Sequence, residues 1–328
     1  MKRNNIKAVL STLCAAVLVA MTLTGCSCGG EDTDWVTGDA IGSSSPQSAQ
    51  TTPSAATSAP TAADSGMSGS YAAPQFKSGV YEMVSTVINK EVYTDGTGAT
   101  VYEASVMTRY TYRLDIAVGS DGIDCKYTFK SVYGTTDLGS QTVVGVNTAD
   151  ASLMSDDTKV YYDIIGKSFM SRANAQGALQ SVSGIDEIIK QVPAAAAILG
   201  NELMQSLAAD LFYTMPDGFE QGTSWQLVQY GITNTCTVQR IFGSNFGIDI
   251  KGGTITPAAP TTDSEGYTTT YTETQPLSGT IWMDMTDRAV QEMSSQQKTS
   301  GTLTDPEGYG VYFTLTASTN CKITKQEG

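Results

Sequence analysis

The amino-acid sequence predicts a mainly β protein of the α+β class. It predicts two antiparallel, curved sheet halves joined by a central broken helix in a half-barrel-like arrangement. Apolar and polar residues alternate with a period of two over long stretches of both halves, the pattern of strands with one buried face. Spacings of three and four residues, typical of helices, occur only between residues 183 and 211.

In the first half, the clearest alternation lies in VMTRYTYRLDIAV, residues 106–118. After the turn sequence GSDG the phase reverses in residues 123–133. Pairing Val118 with Ile123 puts both apolar rows on one face, as a half-buried hairpin requires. The apolar positions of this predicted hairpin are Val106, Tyr110, Tyr112, Leu114, Ile116, Val118, Ile123, Cys125, Tyr127, Phe129 and Tyr133.

Other segments show the same period less completely. The segment DMTDRAVQEM is predicted to form a hairpin whose turn is Thr286–Ala289. Near the C-terminus, an apolar row alternates with polar residues from Tyr309 to Ile323. Further strands are predicted at 80–93, 159–170, 225–242, 246–251 and 280–294.

The centre of the chain carries the helical signals. Ser183, followed by Asp186 and Glu187, is typical of a helix N-terminus, and apolar residues recur on one side as far as Val192. Pro193 interrupts this helix, and residues 194–211 resume it with leucines every four residues. The folded domain, residues 76–328, therefore divides into an N half at 76–182, a helical connector at 183–212 and a C half at 213–328.

The first 25 residues are predicted to be a signal peptide. A basic start is followed by an uncharged apolar run that is short for a membrane span. The run ends in Leu23-Thr24-Gly25-Cys26, which resembles the bacterial lipobox, and that resemblance implies acylation of Cys26 after cleavage. An uncleaved membrane helix, with Cys26 as a bystander, is the alternative. Lipidation would place the protein outside the cytoplasm, anchored to the outer surface of the bacterial cell membrane.

Residues 26–75 are rich in Ser, Thr, Ala and Pro and hold few large apolar residues. Such a composition cannot bury enough surface to offset the entropy of ordering, so a disordered tether is predicted. Removing the signal peptide leaves 16 basic against 33 acidic residues, a net charge near −17. Because polyanions are repelled by this charge, nucleic acid is excluded as a partner.

The composition also excludes several chemistries. The chain has no histidine, which removes Ser-His-Asp and Cys-His catalysis and histidine-ligated zinc. Two enzymatic alternatives survive. Ser295 and Lys298 match S-x-x-K, but they fall in a predicted strand, where positions three apart face opposite sides. A carboxylate pair such as Asp249 and Asp284 is possible in any chain with 33 acids, so it has no specificity. We therefore predict a non-enzyme without cofactor or metal.

Three cysteines fall on the apolar phase of predicted strands: Cys125, Cys236 and Cys321. Buried thiols are the default expectation. Because an exported protein can form disulfides, Cys236–Cys321 is the first candidate pair, and an odd number leaves one cysteine unpaired. Trp225 and Trp282 also fall in strands, where core packing is expected and a sugar-binding aromatic platform is the alternative.

Part of the domain resembles a family of uncharacterised secreted bacterial lipoprotein domains. The pattern is G-K-x-F, a glycine turn and V-x-G-hydrophobic-acid, followed by P…G-x-S-W. The resemblance implies a β-rich fold over most of 76–328 and brings no catalytic residues. A weaker likeness in architecture is to half-barrel lipoproteins that cup acyl chains. The matching residues are Gly166, Lys167, Phe169, Gly177, Val182, Gly184, Ile185, Asp186, Pro216, Gly222, Ser224 and Trp225.

Together these features predict an anchored lipoprotein whose domain is a non-catalytic binding module for an apolar ligand, a glycan or a cell-envelope protein. The alternative is a purely structural component of the cell envelope. A cavity between the sheet and helix 194–211 would favour the binding module, and a solid core would favour the structural component.

Overall fold

The computed structural model describes residues 71–72 and 76–326, except 140, 176, 200–206, 208–210, 212–214, 217–219, 230–231, 254 and 287. Two short helices accompany the strands, α1 at Lys159–Asp163 and α2 at Ile185–Gln191. The strands are β1 Tyr71–Ala72, β2 Gly79–Thr94, β3 Thr100–Gly119, β4 Gly122–Asp137, β5 Thr142–Asn147, β6 Ser168–Asn174, β7 Leu179–Ser183, β8 Met215–Pro216, β9 Ser224–Gln229, β10 Ile232–Phe242, β11 Asn245–Gly252, β12 Thr261–Thr262, β13 Thr268–Thr274, β14 Ser278–Asp284, β15 Val290–Thr304 and β16 Gly310–Lys325.

One large antiparallel sheet dominates the fold, which confirms the predicted mainly β class. Its strand order is β7-β6-β4-β3-β2-β16-β15-β14-β11-β10-β9, and β5, β12 and β13 attach beside this path. The predicted N and C halves are both present. They are hydrogen-bonded to each other along β2 and β16, from the Tyr312–Thr94 pair to the Lys325–Tyr81 pair, so the two halves form one continuous sheet.

The β3–β4 hairpin has the predicted register. Val118 pairs with Ile123, Ile116 with Cys125 and Leu114 with Tyr127. Val118, at the tip, is exposed despite its apolar phase.

A β-bulge changes the lower part of the same hairpin. Thr111 pairs with Ser131 and Tyr112 with Phe129, so Lys130 is an extra residue on β4. A bulge of one residue reverses the side-chain phase beyond it. Val132 is therefore buried, and Tyr133, which was predicted on the apolar face, lies half-buried on the opposite side.

The two faces of the sheet differ in character. We call the face that carries Tyr81 and Met83 of β2 the inner face, and the opposite one, which carries Glu82 and Thr86, the outer face. Inner-face side chains from both halves pack into one hydrophobic cluster together with Ile185 and Ile188 of α2. The connector also contributes Leu199, Leu207 and Leu211 to this cluster, and Leu199 and Leu211 are fully buried.

A second, smaller cluster occupies the inner face at the far end of the long hairpins. It comprises Tyr93, Leu303, Val311, Phe313 and Leu315. Three hairpin turns close that end with the same D-x-x-G geometry, at 95–99, 263–267 and 305–309. In each turn the aspartate side chain accepts backbone N–H groups two and four residues later.

Two predicted strands need correction. Residues 159–170 begin as α1 and become β6 only at Ser168. The sequence YYDII carries consecutive apolar residues and has no period of two. In addition, Lys159 forms an ion pair with Asp163 one helical turn later, which favours the helix. Residues 225–242 form two antiparallel strands, β9 and β10.

The remaining predictions of elements have mixed outcomes. The hairpin at 284–293 is confirmed, since Asp284 N–H donates to the Ala289 carbonyl. A helix is present where it was predicted, since α2 begins at Ile185 with Asp186 and Glu187 in its first turn. Ser183 does not cap it, however: Ser183 ends β7, and the N-cap is Gly184, which has positive φ and no side chain to accept a hydrogen bond. The predicted helix 194–211 begins with a 3₁₀ segment, Pro193–Ala197, and most of the rest lies outside the described residues.

Candidate functional site

An open trough lies on the outer face of the C half. It crosses six adjacent strands, β10, β11, β14, β15, β16 and β2, and its volume is about 1060 Å³. That is the size of a small-molecule or oligomer site. Strand alternation places these side chains here, because their neighbours in sequence face the hydrophobic cluster on the other side. Hydroxyl and amide groups dominate its lining, namely Thr86, Thr235, Thr237, Gln239, Gln275, Ser278, Thr280, Ser294, Gln296, Ser318 and Asn320.

One wall of the trough is formed by Glu273, near the end of β13, and by Gln275–Leu277, which connect β13 to β14. Two backbone hydrogen bonds fix this wall. Gln275 N–H donates to the Lys298 carbonyl at 2.8 Å, and the Leu277 carbonyl accepts from Gly252 N–H at 2.7 Å. The wall is therefore held to β15 on one side and to β11 on the other.

Some trough side chains are already hydrogen-bonded to each other. Thr280 Oγ1 donates to Asp249 Oδ1 at 3.3 Å, and Gln296 Nε2 donates to Ser318 Oγ at 3.2 Å. A hydroxyl or amide keeps further donor or acceptor capacity after one such bond. The floor also carries apolar surface, since Ile88 is 39% exposed on this face. The trough thus offers both hydrogen-bonding groups and a substantial apolar surface.

An indole ring flanks the trough. Trp282 follows Thr280 on the outer face of β14 and lies across Gly247 of β11, with which it is paired. A Cβ built on Gly247 would lie 3.2 Å from both Cη2 and Cζ3 of the indole, so a side chain at this position would crowd the ring. Gly247 is buried and Trp282 half-buried. The absence of a side chain on Gly247 leaves room for the indole at this position, where part of Trp282 stays accessible to solvent.

Trp225, the other tryptophan singled out by the sequence, is in the core. It is only 3% exposed and belongs to the inner-face cluster. The sequence placed both tryptophans in strands. The glycine opposite Trp282 in the neighbouring strand is the signal that distinguishes it from the buried Trp225. Finding that glycine requires the register between β11 and β14, which the sequence alone does not give.

The residues of the two enzymatic alternatives do not assemble into catalytic sites. Asp249 pairs with Thr280, whereas Asp284 lies four residues farther along β14 and caps the next turn by accepting from Thr286 N–H. Ser295 and Lys298 both lie in β15, on opposite faces of the sheet. Neither pair has the proximity that its chemistry requires.

All three domain cysteines are buried, and none of them is in a disulfide. The disulfide considered between Cys236 and Cys321 is not formed, and three strands separate β10 from β16. Four strand spacings amount to roughly 19 Å along the sheet, against the 4.4–6.8 Å Cα separation of a disulfide. Burial raises the pKa of both Cys125 and Cys236 to about 12, which disfavours the reactive thiolate. The predicted lipidation site, Cys26, lies outside the described residues.

The residues that carry the family resemblance have structural roles. Gly166, Gly177 and Gly222 adopt positive φ, which glycine tolerates best. Phe169 stacks on Tyr127 with ring centroids 4.5 Å apart, and a Cβ on Gly184 would lie 3.3 Å from the Phe169 Cα. The motif therefore describes turns and core packing near α2.

Within the part of the chain that the structure covers, no group of three or more His, Cys, Asp or Glu side chains is arranged to hold a metal ion. No helix in that same part is long and apolar enough to cross a membrane.

Comparisons with known proteins give little. No protein-family model matches the chain, and no curated protein matches it. A solved structure titled "Lipid-protein interactions in lipovitellin" aligns with a TM-score of 0.47 at 8% sequence identity, covering 77% of this chain and 26% of the lipovitellin chain. The chain thus spans about a quarter of that protein. At this level of similarity, no inference about ligand or function is drawn from it.

Proposed function

We propose that this chain is an extracytoplasmic lipoprotein, anchored through Cys26 to the outer surface of the bacterial cell membrane, whose β domain binds a neutral glycan without catalysis. The anchor is supported by residues 1–26, whose basic start, apolar run and lipobox-like end form one consistent signal. The tether, predicted at residues 26–75 but limited by the pairing of β1 at Tyr71–Ala72 with β8, is long enough to hold the domain away from the bilayer.

The observation that carries the glycan assignment is the half-buried indole of Trp282, which lies over Gly247 beside a trough lined by many hydroxyl and amide groups. A sugar ring has apolar C–H faces and a polar rim. An indole ring can pack against the C–H face of the sugar and exclude water from it, and hydroxyl and amide side chains can form hydrogen bonds with the polar rim. An apolar ligand would leave these polar groups desolvated without partners, which costs free energy.

Charge selects neutral glycans over anionic ones. The mature chain is near −17, so an anionic polymer would be repelled. Exposed carboxylates at Asp249 and Glu273 in or beside the trough add to this repulsion locally.

An array of neutral and anionic oligosaccharides, probed with the mature full-length chain in detergent, tests the proposal. Wild-type chain should bind neutral glycans, and Trp282→Ala should lose most of that signal. Tyr312→Ala is the matched control, because Tyr312 is an aromatic residue on the same face, 57% exposed and outside the trough. It should bind like wild type.

Three results would contradict the proposal. Equal binding by Trp282→Ala and wild type would remove the role of the indole. Absence of any glycan binding, with a lipid found by native mass spectrometry on chain purified from its host, would favour the apolar-ligand alternative. Absence of both ligands would favour the structural alternative.

A further inference from the structure

The lining of the trough is ordered into two rows that run across the strands. Antiparallel pairing brings side chains on the same face of neighbouring strands directly opposite each other. Following the register from β10 to β2 gives two uninterrupted rows, which we call ladder one and ladder two. Ladder one is Thr237, Asp249, Thr280, Ser294, Asn320 and Thr86; ladder two is Thr235, Lys251, Ser278, Gln296, Ser318 and Ile88.

The rows are uninterrupted because the register shifts of these strands lie elsewhere. The register shift between β10 and β11 falls at Val238–Arg240, and that between β14 and β15 falls after Trp282. Neighbouring strands are about 4.8 Å apart, so six ladder positions span roughly 24 Å at a constant repeat. The direction in which polar groups recur regularly is therefore across the strands.

We infer that the ligand is a linear, uncharged polysaccharide that lies across the strands along the two ladders, with one end near Thr237 and the other near Thr86. The inference rests on the proposed function and specifies the ligand of the same trough. A polymer of identical units presents the same polar groups at a fixed repeat, and the ladders present partners at a fixed repeat. Trp282, one position beyond ladder one on β14, then stacks on a ring at the side of the chain.

The charges in the ladders agree with an uncharged ligand. Ladder one contains a single acid, Asp249, and ladder two a single base, Lys251, two residues apart on β11. Their formal charges cancel within the ladders, and Glu273 of the wall leaves the trough with one net negative charge. A ligand charged at every unit would meet no matching series of opposite charges along either ladder.

Titration calorimetry with a length series of neutral β-linked oligosaccharides, using the mature full-length chain in detergent, tests the inference. Affinity should increase with each added ring until the oligosaccharide is about as long as the ladder, roughly 24 Å, and then stay constant. Ser294→Ala, in the middle of ladder one, should weaken binding of all lengths by roughly 2- to 10-fold, the range for one net hydrogen bond.

Substitutions at the two ends of ladder one distinguish a ligand that lies across the strands from a ligand that lies in another direction. Thr86→Ala and Thr237→Ala should weaken only the long oligosaccharides, by a similar factor. Thr316→Ala, on the outer face of β16 but outside the trough, should change nothing. Circular dichroism of each variant checks that the sheet is intact.

Failure of this inference is distinguishable from failure of the proposed function. If glycans bind with an affinity independent of length, or if Thr86→Ala and Thr237→Ala bind long oligosaccharides like wild type, the ligand does not lie along the ladders, although the module still binds glycan. A ligand lying along one strand would instead depend on Glu292 and Lys298 of β15. If no oligosaccharide binds, the proposed function itself is wrong.

Discussion

Phe129 is the residue whose truncation should most clearly reveal the inner-face core. Its side chain is fully buried, with ring centroids 4.9 Å from Tyr112 and 6.1 Å from Phe169. Replacing a buried phenylalanine by alanine costs roughly 3–5 kcal/mol, because transfer free energy is lost and a cavity remains. For a domain of this size, a loss of about 4 kcal/mol lowers the melting temperature by roughly 8–16 °C. Leu114→Ala, also fully buried, should cost roughly 2–5 kcal/mol.

Arg113 provides the matched control, since it adjoins Leu114 but points to solvent, where it bonds only to Asp115 among the described contacts. An exposed ion pair is screened by water, so Arg113→Ala should leave the melting temperature nearly unchanged. Thermal melts followed by circular dichroism, with urea titrations to check that the slope is constant, measure all three variants. Similar losses for Arg113→Ala and Leu114→Ala would mean that the assignment of faces is wrong.

Three further predictions concern the anchor, the tether and the thiols. Cys26→Ala should abolish incorporation of labelled palmitate, and equal labelling of variant and wild type would refute the anchor. Limited proteolysis should cut within 43–70 and leave a fragment that begins near Tyr71, because β1 pairs with β8; protection of 43–70 would refute the tether. Burial raises the pKa of Cys125 and Cys236 to about 12, whereas thiols in the unfolded chain have a pKa of about 8.5. Between these values the unfolded chain loses its thiol protons and the folded chain keeps them, so the free energy of unfolding should fall as pH rises. Urea titrations at several pH values measure this fall. A double alanine variant of these cysteines should fall less steeply, and an identical slope would contradict the assignment.

The sequence contained enough information to predict the position and pairing of strands that have one buried face. Alternation and a turn signal determine register when one face is buried, which is why Leu114 and Tyr127 were placed opposite each other. The same reasoning missed the bulge at Lys130, because an inserted residue keeps each half of the strand in phase and only changes the relation between them. The same reasoning also missed α1. A helix of this length has little stability of its own, so its formation depends on packing of the adjoining Ile164 in the core.

The candidate site was less predictable than the fold. Threonine and serine on the polar phase of strands are what any solvated sheet face carries, so no single stretch of sequence distinguished the trough. Its ladders depend on how six strands from distant parts of the chain are aligned, from Thr237 of β10 to Thr86 of β2. The platform likewise requires Gly247 to lie opposite Trp282, which only the pairing of β11 with β14 brings about.

Tryptophan fluorescence during titration with a neutral oligosaccharide tests the central claim most directly. Trp225 is buried in the core, and Trp282 is half-buried at the trough, so a ligand in the trough should change the emission of Trp282. The glycan-binding account predicts a saturable emission change in wild-type chain that disappears in Trp282→Phe, while the melting temperatures of the two proteins stay similar. A saturable change of the same size in Trp282→Phe would show that the glycan binds elsewhere and would contradict the account.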